Sequence, residues 1–98
     1  MRIAALLMLS LLTACASKVD LQNLPSASYS CDDGTYLWVV FEPAAARVTL
    51  PNKQVALLPQ QRAASGMWYQ STEYELRGKG DDATWTARGR SPLACRAR

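Results

Sequence analysis

Asp32-Asp33-Gly34-Thr35-Tyr36-Leu37-Trp38-Val39-Val40-Phe41 reads as a tight reversal followed by a strand, and its pattern recurs along the chain. The Asp-Asp-Gly step suits a turn because glycine accepts a positive φ and aspartate oxygens accept nearby backbone N–H groups. Tyr36 to Phe41 are aromatic, β-branched or leucine, the residues that fit a pleated and half-buried surface. Both alternating faces of this run are apolar. Periodicity therefore leaves open which face turns inward, and one face can be covered by a neighbouring element.

Outward from this stretch the same grammar repeats. From Tyr29 onward, short runs rich in Val, Thr, Tyr, Trp and Leu are bounded by Gly, Pro, Asn or Asp, which predicts a small all-β domain with no helix. The expected strands are 29–31, 36–42, 47–50, 54–58, 62–64, 67–71, 74–77 and 84–88, with a ninth piece around Cys95. Pro51-Asn52 is a further reversal, and residues 78–82 form a loop with two glycines. So many short antiparallel strands in so few residues favour a closed or nearly closed β-barrel, which also removes exposed edges.

The N-terminus carries an address. Met1-Arg2 is a basic start, Ile3 to Leu12 is an apolar run interrupted by Ser10, and Leu12-Thr13-Ala14-Cys15 closes it with small residues and a thiol. The run is too short to span a bilayer and reads as a signal peptide over 1–14, cut before Cys15. The thiol at the first mature position predicts lipidation of Cys15. A plain secreted protein with an incidental cysteine is the alternative. Residues 15–28, polar and small with Pro25, read as the lipidated N-terminus and a tether, and 29–98 as the folded domain.

Cutting before Cys15 leaves 84 residues, one small domain with little margin from its core alone. With Cys15 taken by lipid, Cys31 and Cys95 remain, and an even pair in an exported chain most simply forms one disulfide. The chain-entropy model assigns so long a loop about 4 kcal/mol as an upper value, comparable with a small domain's whole stability.

Several function classes lose their footing. The formal charge of +3 drops by one when Arg2 leaves with the signal, too mild to argue for nucleic acid. Arg88, Arg90, Arg96 and Arg98 form a late basic cluster that reads as a solvated tail. There is no histidine, which removes the usual general base and the commonest metal ligand. Neither a nucleophile beside a base nor a metal-ligand cluster is visible, so no enzyme, cofactor, metal site or small-molecule substrate is expected. Asp32-Asp33 and Asp81-Asp82 sit at turns, where carboxylates usually accept local backbone hydrogen bonds.

What remains is Ser65-Gly66-Met67-Trp68-Tyr69 followed by Lys79-Gly80-Asp81-Asp82-Ala83-Thr84-Trp85. Ser65 precedes a glycine and Lys79 lies between two, which predicts loops at strand ends where backbone approaches a partner closely. Taken alone, both are ordinary turn chemistry. Together they resemble the membrane-bound inhibitors of c-type lysozyme, known by a Ser-Gly-x-x-Tyr motif and a Lys-Gly-x-x-Ala motif. Ser65, Gly66 and Tyr69 match the first, Lys79, Gly80 and Ala83 match the second, and the step from Ser65 to Lys79 is the family's. The resemblance extends to the lipoprotein box, the Tyr29-x-Cys31-Asp32 start and the late cysteine.

The resemblance implies an eight-stranded antiparallel barrel that inserts loops into the cleft of c-type lysozyme. The positions matching Ser65 and Lys79 would reach the enzyme's two catalytic carboxylates, while Tyr69 and the glycines Gly66 and Gly80 shape the loops. It also implies attachment to the outer membrane, because Ala16 after the cysteine is not an aspartate, with the domain facing the periplasm. A structural envelope lipoprotein contacting peptidoglycan or an envelope complex is the alternative. Two positions depart from the pattern. Trp85 stands where an aliphatic residue is common and reads as core. Trp68 either packs against the barrel or stands at the rim of an interface, and Tyr74, Arg77 and Arg88 read as structural or solvated.

Overall fold

The computed structural model describes residues 23–98. The expected signal peptide, Cys15 and the first part of the tether lie outside the described residues. Eight strands follow one another: β1 Ser26–Cys31, β2 Tyr36–Glu42, β3 Ala45–Thr49, β4 Val55–Pro59, β5 Met67–Gln70, β6 Tyr74–Lys79, β7 Asp82–Ala87 and β8 Leu93–Ala97. Every pairing is antiparallel, in the order β4-β3-β2-β1-β8-β7-β6-β5. The two outer strands then approach each other through a bridge between Gln60 and Tyr69 and a hydrogen bond from Gln61 N to Trp68 O at 2.7 Å. The result is the nearly closed all-β barrel that the turn spacing called for.

The period of two decides what lies inside. Tyr29 and Cys31 of β1, Leu37 and Val39 of β2, Ala46 and Val48 of β3 and Leu58 of β4 face inward, with Tyr69, Leu76, Ala83, Trp85 and Cys95 from the other strands. In β2 the ambiguity of the sequence is thereby resolved: Leu37 and Val39 are wholly buried, and Tyr36 and Trp38 face water. Trp85 is core and stacks on Tyr74 with ring centroids 4.9 Å apart. Phe41 of β2 meets Tyr69 of β5 at 5.8 Å, so the interior is filled across the seam where few backbone bonds close it. Cys31 and Cys95 are direct cross-strand partners and form the disulfide, which joins β1 to β8 at the middle of the sheet order.

Three expectations need correction. Residues 62–64 form no strand. Only Gln60 and Gln61 reach β5, and the chain then bends through Ala64-Ser65-Gly66 to enter it, so the strand around Cys95 is the eighth rather than the ninth. The first strand begins at Ser26 rather than Tyr29, because Ser26, Ala27 and Ser28 pair with Val40, Val39 and Trp38. Small polar residues are poor evidence for a strand on their own, and here an apolar neighbour supplies the pairing. The 78–82 loop shrinks to a two-residue turn, since Gly78 and Lys79 belong to β6 and Asp82 to β7.

The turns behave as their chemistry dictates. Asp33 Oδ1 accepts the Thr35 N–H at 2.9 Å, and the carboxyl pKa is pulled below its ordinary value first by the Thr35 side chain and then by this backbone bond. Asn52 Oδ1 accepts Gln54 N–H at 2.9 Å, while Lys53, not Asn52, takes the positive φ of 72°.

Candidate functional site

Two segments distant in sequence meet at one end of the barrel. The 60–66 loop enters β5 at Met67, which pairs with Gly78, so Ser65 and Gly66 lie beside the end of β6. Gly66 adopts φ +74°, and a Cβ there would overlap the Gly78 carbonyl oxygen and crowd the Lys79 Cβ at 3.2 Å. Only a residue without a side chain lets the Ser65 loop lie down on the β6–β7 hairpin. Glycine at 78 serves the same contact from the other side, because a Cβ would press on Met67 and on the backbone of Ala83.

The hairpin itself is tight. Gly80 has φ +64° at the first central position and Asp81 follows without a positive φ, the pattern of a type II′ turn that matches the twist of antiparallel strands. Lys79 and Asp82 face each other across its base. Asp82 is engaged by Arg96 Nη1 at 3.3 Å, an exposed contact that contributes little. Its carboxylate therefore pairs across strands rather than accepting a local backbone bond. Ser65 and Lys79 are both exposed, and neither side chain bonds another group among the described residues. Ser65 and Lys79 thus stand on adjoining stretches of backbone held by closely packed glycines.

The remaining site candidates fall into two places. Tyr69 is inside, 7 % exposed, and burial pushes its phenol pKa up. Its ring supports the start of β5 from within and offers no surface. Ala83 is buried beneath Gly78. Trp68 stands outside. Its indole Nε1 donates to Glu75 Oε2 at 2.8 Å, and the Arg77 guanidinium carbon lies 4.2 Å from the centre of its ring. Arg77, read as solvated, instead covers an aromatic face. The sequence held no sign of this arrangement, because pairing of Trp68 with Arg77 depends on the β5–β6 register. Outward side chains on β6 alternate as Glu75, Arg77, Lys79, so the Trp68–Arg77 pair lies one pleat from Lys79 on the same face.

Comparison with known proteins decides the family. The model of the membrane-bound lysozyme inhibitor of c-type lysozyme family matches residues 29–94. This chain belongs to that family. Among solved structures, the crystal structure of Pseudomonas aeruginosa MliC in complex with hen egg white lysozyme is similar, with a TM-score of 0.57 and 21 % identity over 93 % of this chain and 100 % of that one. At that identity the likeness supports the barrel fold. No curated protein matches the sequence significantly. Among the described residues no cluster of three or more His, Cys, Asp or Glu could hold a metal ion.

Proposed function

We propose that this protein is a lipid-anchored inhibitor of c-type lysozyme that presents Ser65 and Lys79 to the two catalytic carboxyl groups of the enzyme. The observation that carries the reading is that the Ser65 loop packs directly against the Lys79 end of β6, bringing the two motifs onto adjoining backbone with both side chains exposed and unpartnered. The target's chemistry fits it. A retaining glycosidase of the lysozyme kind holds two carboxyl groups close together, one ionised and one protonated near neutral pH. A lysine ammonium pairs with the anion, and in a desolvated cleft such charge-assisted hydrogen bonds are strong. A hydroxyl both donates and accepts, so Ser65 satisfies a carboxyl group in either state and leaves no buried polar atom of the enzyme unpaired.

Trp68 with Arg77 extends this contact. A stable interface covers about 800 Å² on each partner, a patch far wider than one pleat, so a lysozyme engaged on Lys79 also meets the neighbouring aromatic and guanidinium. Trp and Arg are the residues that most often carry binding energy. No covalent step is involved, and the protein acts as a plug rather than a catalyst.

The anchor belongs to the same reading. Lipid on Cys15 holds the domain at the outer membrane, facing the periplasm, where a lysozyme that has crossed the outer membrane meets it before the wall. The test is a turbidity assay of c-type lysozyme on bacterial cells with the chain from residue 15 onward carrying Cys15→Ser. Stoichiometric loss of lytic activity is expected. Full activity at high molar excess, with the disulfide intact, would favour the structural envelope lipoprotein instead.

A further inference from the structure

We propose that the outer face of β2, β3 and β4 rests on the phospholipid surface that carries the anchor; this rests on the anchoring part of the proposed function. The exposed large hydrophobic side chains of the described residues are Tyr36, Trp38, Val55 and Leu57, each 43–53 % exposed, and all four lie on this one wall. The register makes them contiguous. Trp38 sits opposite Thr49, which sits opposite Val55, and one pleat away Val40, Arg47 and Leu57 form the next outward row.

Three observations choose a bilayer over a protein. The first is chemistry: Trp and Tyr are amphipathic rings that favour the headgroup level, and cations stand beside them. The Arg98 guanidinium carbon lies 5.9 Å from the Tyr36 ring centre, and Lys53 projects from the β3–β4 turn, while Arg47 is offset by its pair with Glu42. Near an anionic leaflet each unpaired cation adds attraction.

The second is area. Four large side chains exposed by about half present on the order of 400 Å². A stable pairing of two copies needs about 800 Å² from each. A bilayer to which the domain is already tied needs far less, because the tether raises the local concentration of one for the other.

The third is attachment. The chain enters the barrel at Ser26, opposite Val40, on the row that also holds Leu57. From Cys15 to Ser26 an extended chain reaches about 36–40 Å at most, which keeps the domain within reach of the surface that holds the anchor and lets this wall lie against it. Around the nearly closed barrel β3 is four strands from β7 in either direction and three from β6, the strand of Lys79, across the seam. Contact through β3 therefore leaves Lys79 and its hairpin in water, open to lysozyme.

The experiment uses the full lipidated protein in vesicles of phosphatidylethanolamine and phosphatidylglycerol, with and without brominated acyl chains, and reads tryptophan emission. Quenching by bromine in the wild type, its loss in Trp38→Phe and its weakening in Val55→Lys/Leu57→Lys are expected, whereas Trp68→Phe leaves it in place. Emission indifferent to bromine, or quenching unchanged in Trp38→Phe, overturns the proposal. So does cross-linking of vesicle-bound copies through this wall with Trp38 unquenched, which would mark a dimer face. Mass spectrometry showing no lipid on Cys15 overturns it through the anchor. Lysozyme inhibition by the same vesicles separates the readings, since Val55→Lys/Leu57→Lys is expected to inhibit as the wild type does.

Discussion

Two walls of one barrel share an interior rule and differ completely outside. On β2–β4 the outward positions include Tyr36, Trp38, Val40, Val55 and Leu57, with Thr49 between Trp38 and Val55 and Arg47 tied to Glu42. On β5–β7 they include Trp68, Gln70, Glu75, Arg77, Lys79, Asp82, Thr84 and Thr86. Each wall shows one tryptophan, and the two are held differently. Trp38 is 43 % exposed and its indole N–H has no partner among the described residues, whereas Trp68 is fastened by Glu75 and covered by Arg77. Alternating apolar residues inside make the barrel, and the outside of each wall is free to carry a task. Under the proposed function, protein recognition falls to the polar wall and its hairpin.

Lys79→Ala is expected to cost about 2–5 kcal/mol of lysozyme binding, because a carboxylate of the enzyme is left buried without its cation. Trp38→Ala on the opposite wall should leave inhibition in solution unchanged. Titrations of both variants against c-type lysozyme check this, and equal potency of Lys79→Ala and wild type breaks the assignment. Next in size is the bridge between the halves. Replacing Cys31 and Cys95 by serine should lower stability by about 4 kcal/mol in the chain-entropy account, read as the denaturant midpoint. The loss should fall on β1–β8 pairing and so on both walls at once.

Gly66→Ala tests whether the loop must lie flat on the hairpin. At φ +74° a side chain costs about 1–3 kcal/mol, and the overlap with Gly78 O lifts the Ser65 loop away from Lys79. Inhibition should fall while the far wall and the Trp38 emission stay as they were. Trp68→Ala should cost about 1–2 kcal/mol of binding, and Glu75→Gln less, because glutamine keeps an acceptor for the indole at reduced strength. Affinities across several c-type lysozymes should change rank with Trp68→Ala and only in scale with Lys79→Ala.

The sequence carried the barrel well and the site unevenly. β2 was legible to the residue, since Asp32-Asp33-Gly34 starts the reversal and Glu42-Pro43 ends an unbroken apolar run. The disulfide followed from pairing the two cysteines left once Cys15 is set aside for lipid. Residues 62–64 misled because strand propensity in a short alanine-containing segment is weak, and what decides there is the seam, which only Gln60 and Gln61 bridge. The motifs marked Ser65, Lys79 and their glycines. They said nothing of Trp68 with Glu75 and Arg77, because that cluster exists only once β5 and β6 are in register. Likewise no periodicity told Tyr36 and Trp38 from Leu37 and Val39; pairing on both sides chose the inner face.

The smallest expected effect concerns the interior that both walls share. Tyr29 of β1 and Tyr69 of β5 have phenol pKa values raised above their ordinary 10, Tyr29 by burial first, then by the Asp81 carboxylate and by Tyr69, and Tyr69 by burial. A raised folded pKa means the unfolded chain gives up its proton first. The contribution to stability is whole below pH 10 and is lost as pH climbs from there through the folded value. Alkaline unfolding should therefore set in above pH 10, with Tyr29→Phe and Tyr69→Phe each flattening the slope. Asp81→Asn should recover part of the Tyr29 effect. Since Asp81 sits in the hairpin turn after Lys79, that variant also links the core to the site: a change in alkaline slope with no change in lysozyme binding at neutral pH would show that the outer faces are tuned separately from the inner one. If Asp81→Asn instead moved binding as far as Lys79→Ala does, the division between a common interior and two independent exteriors would fail at the turn where they meet.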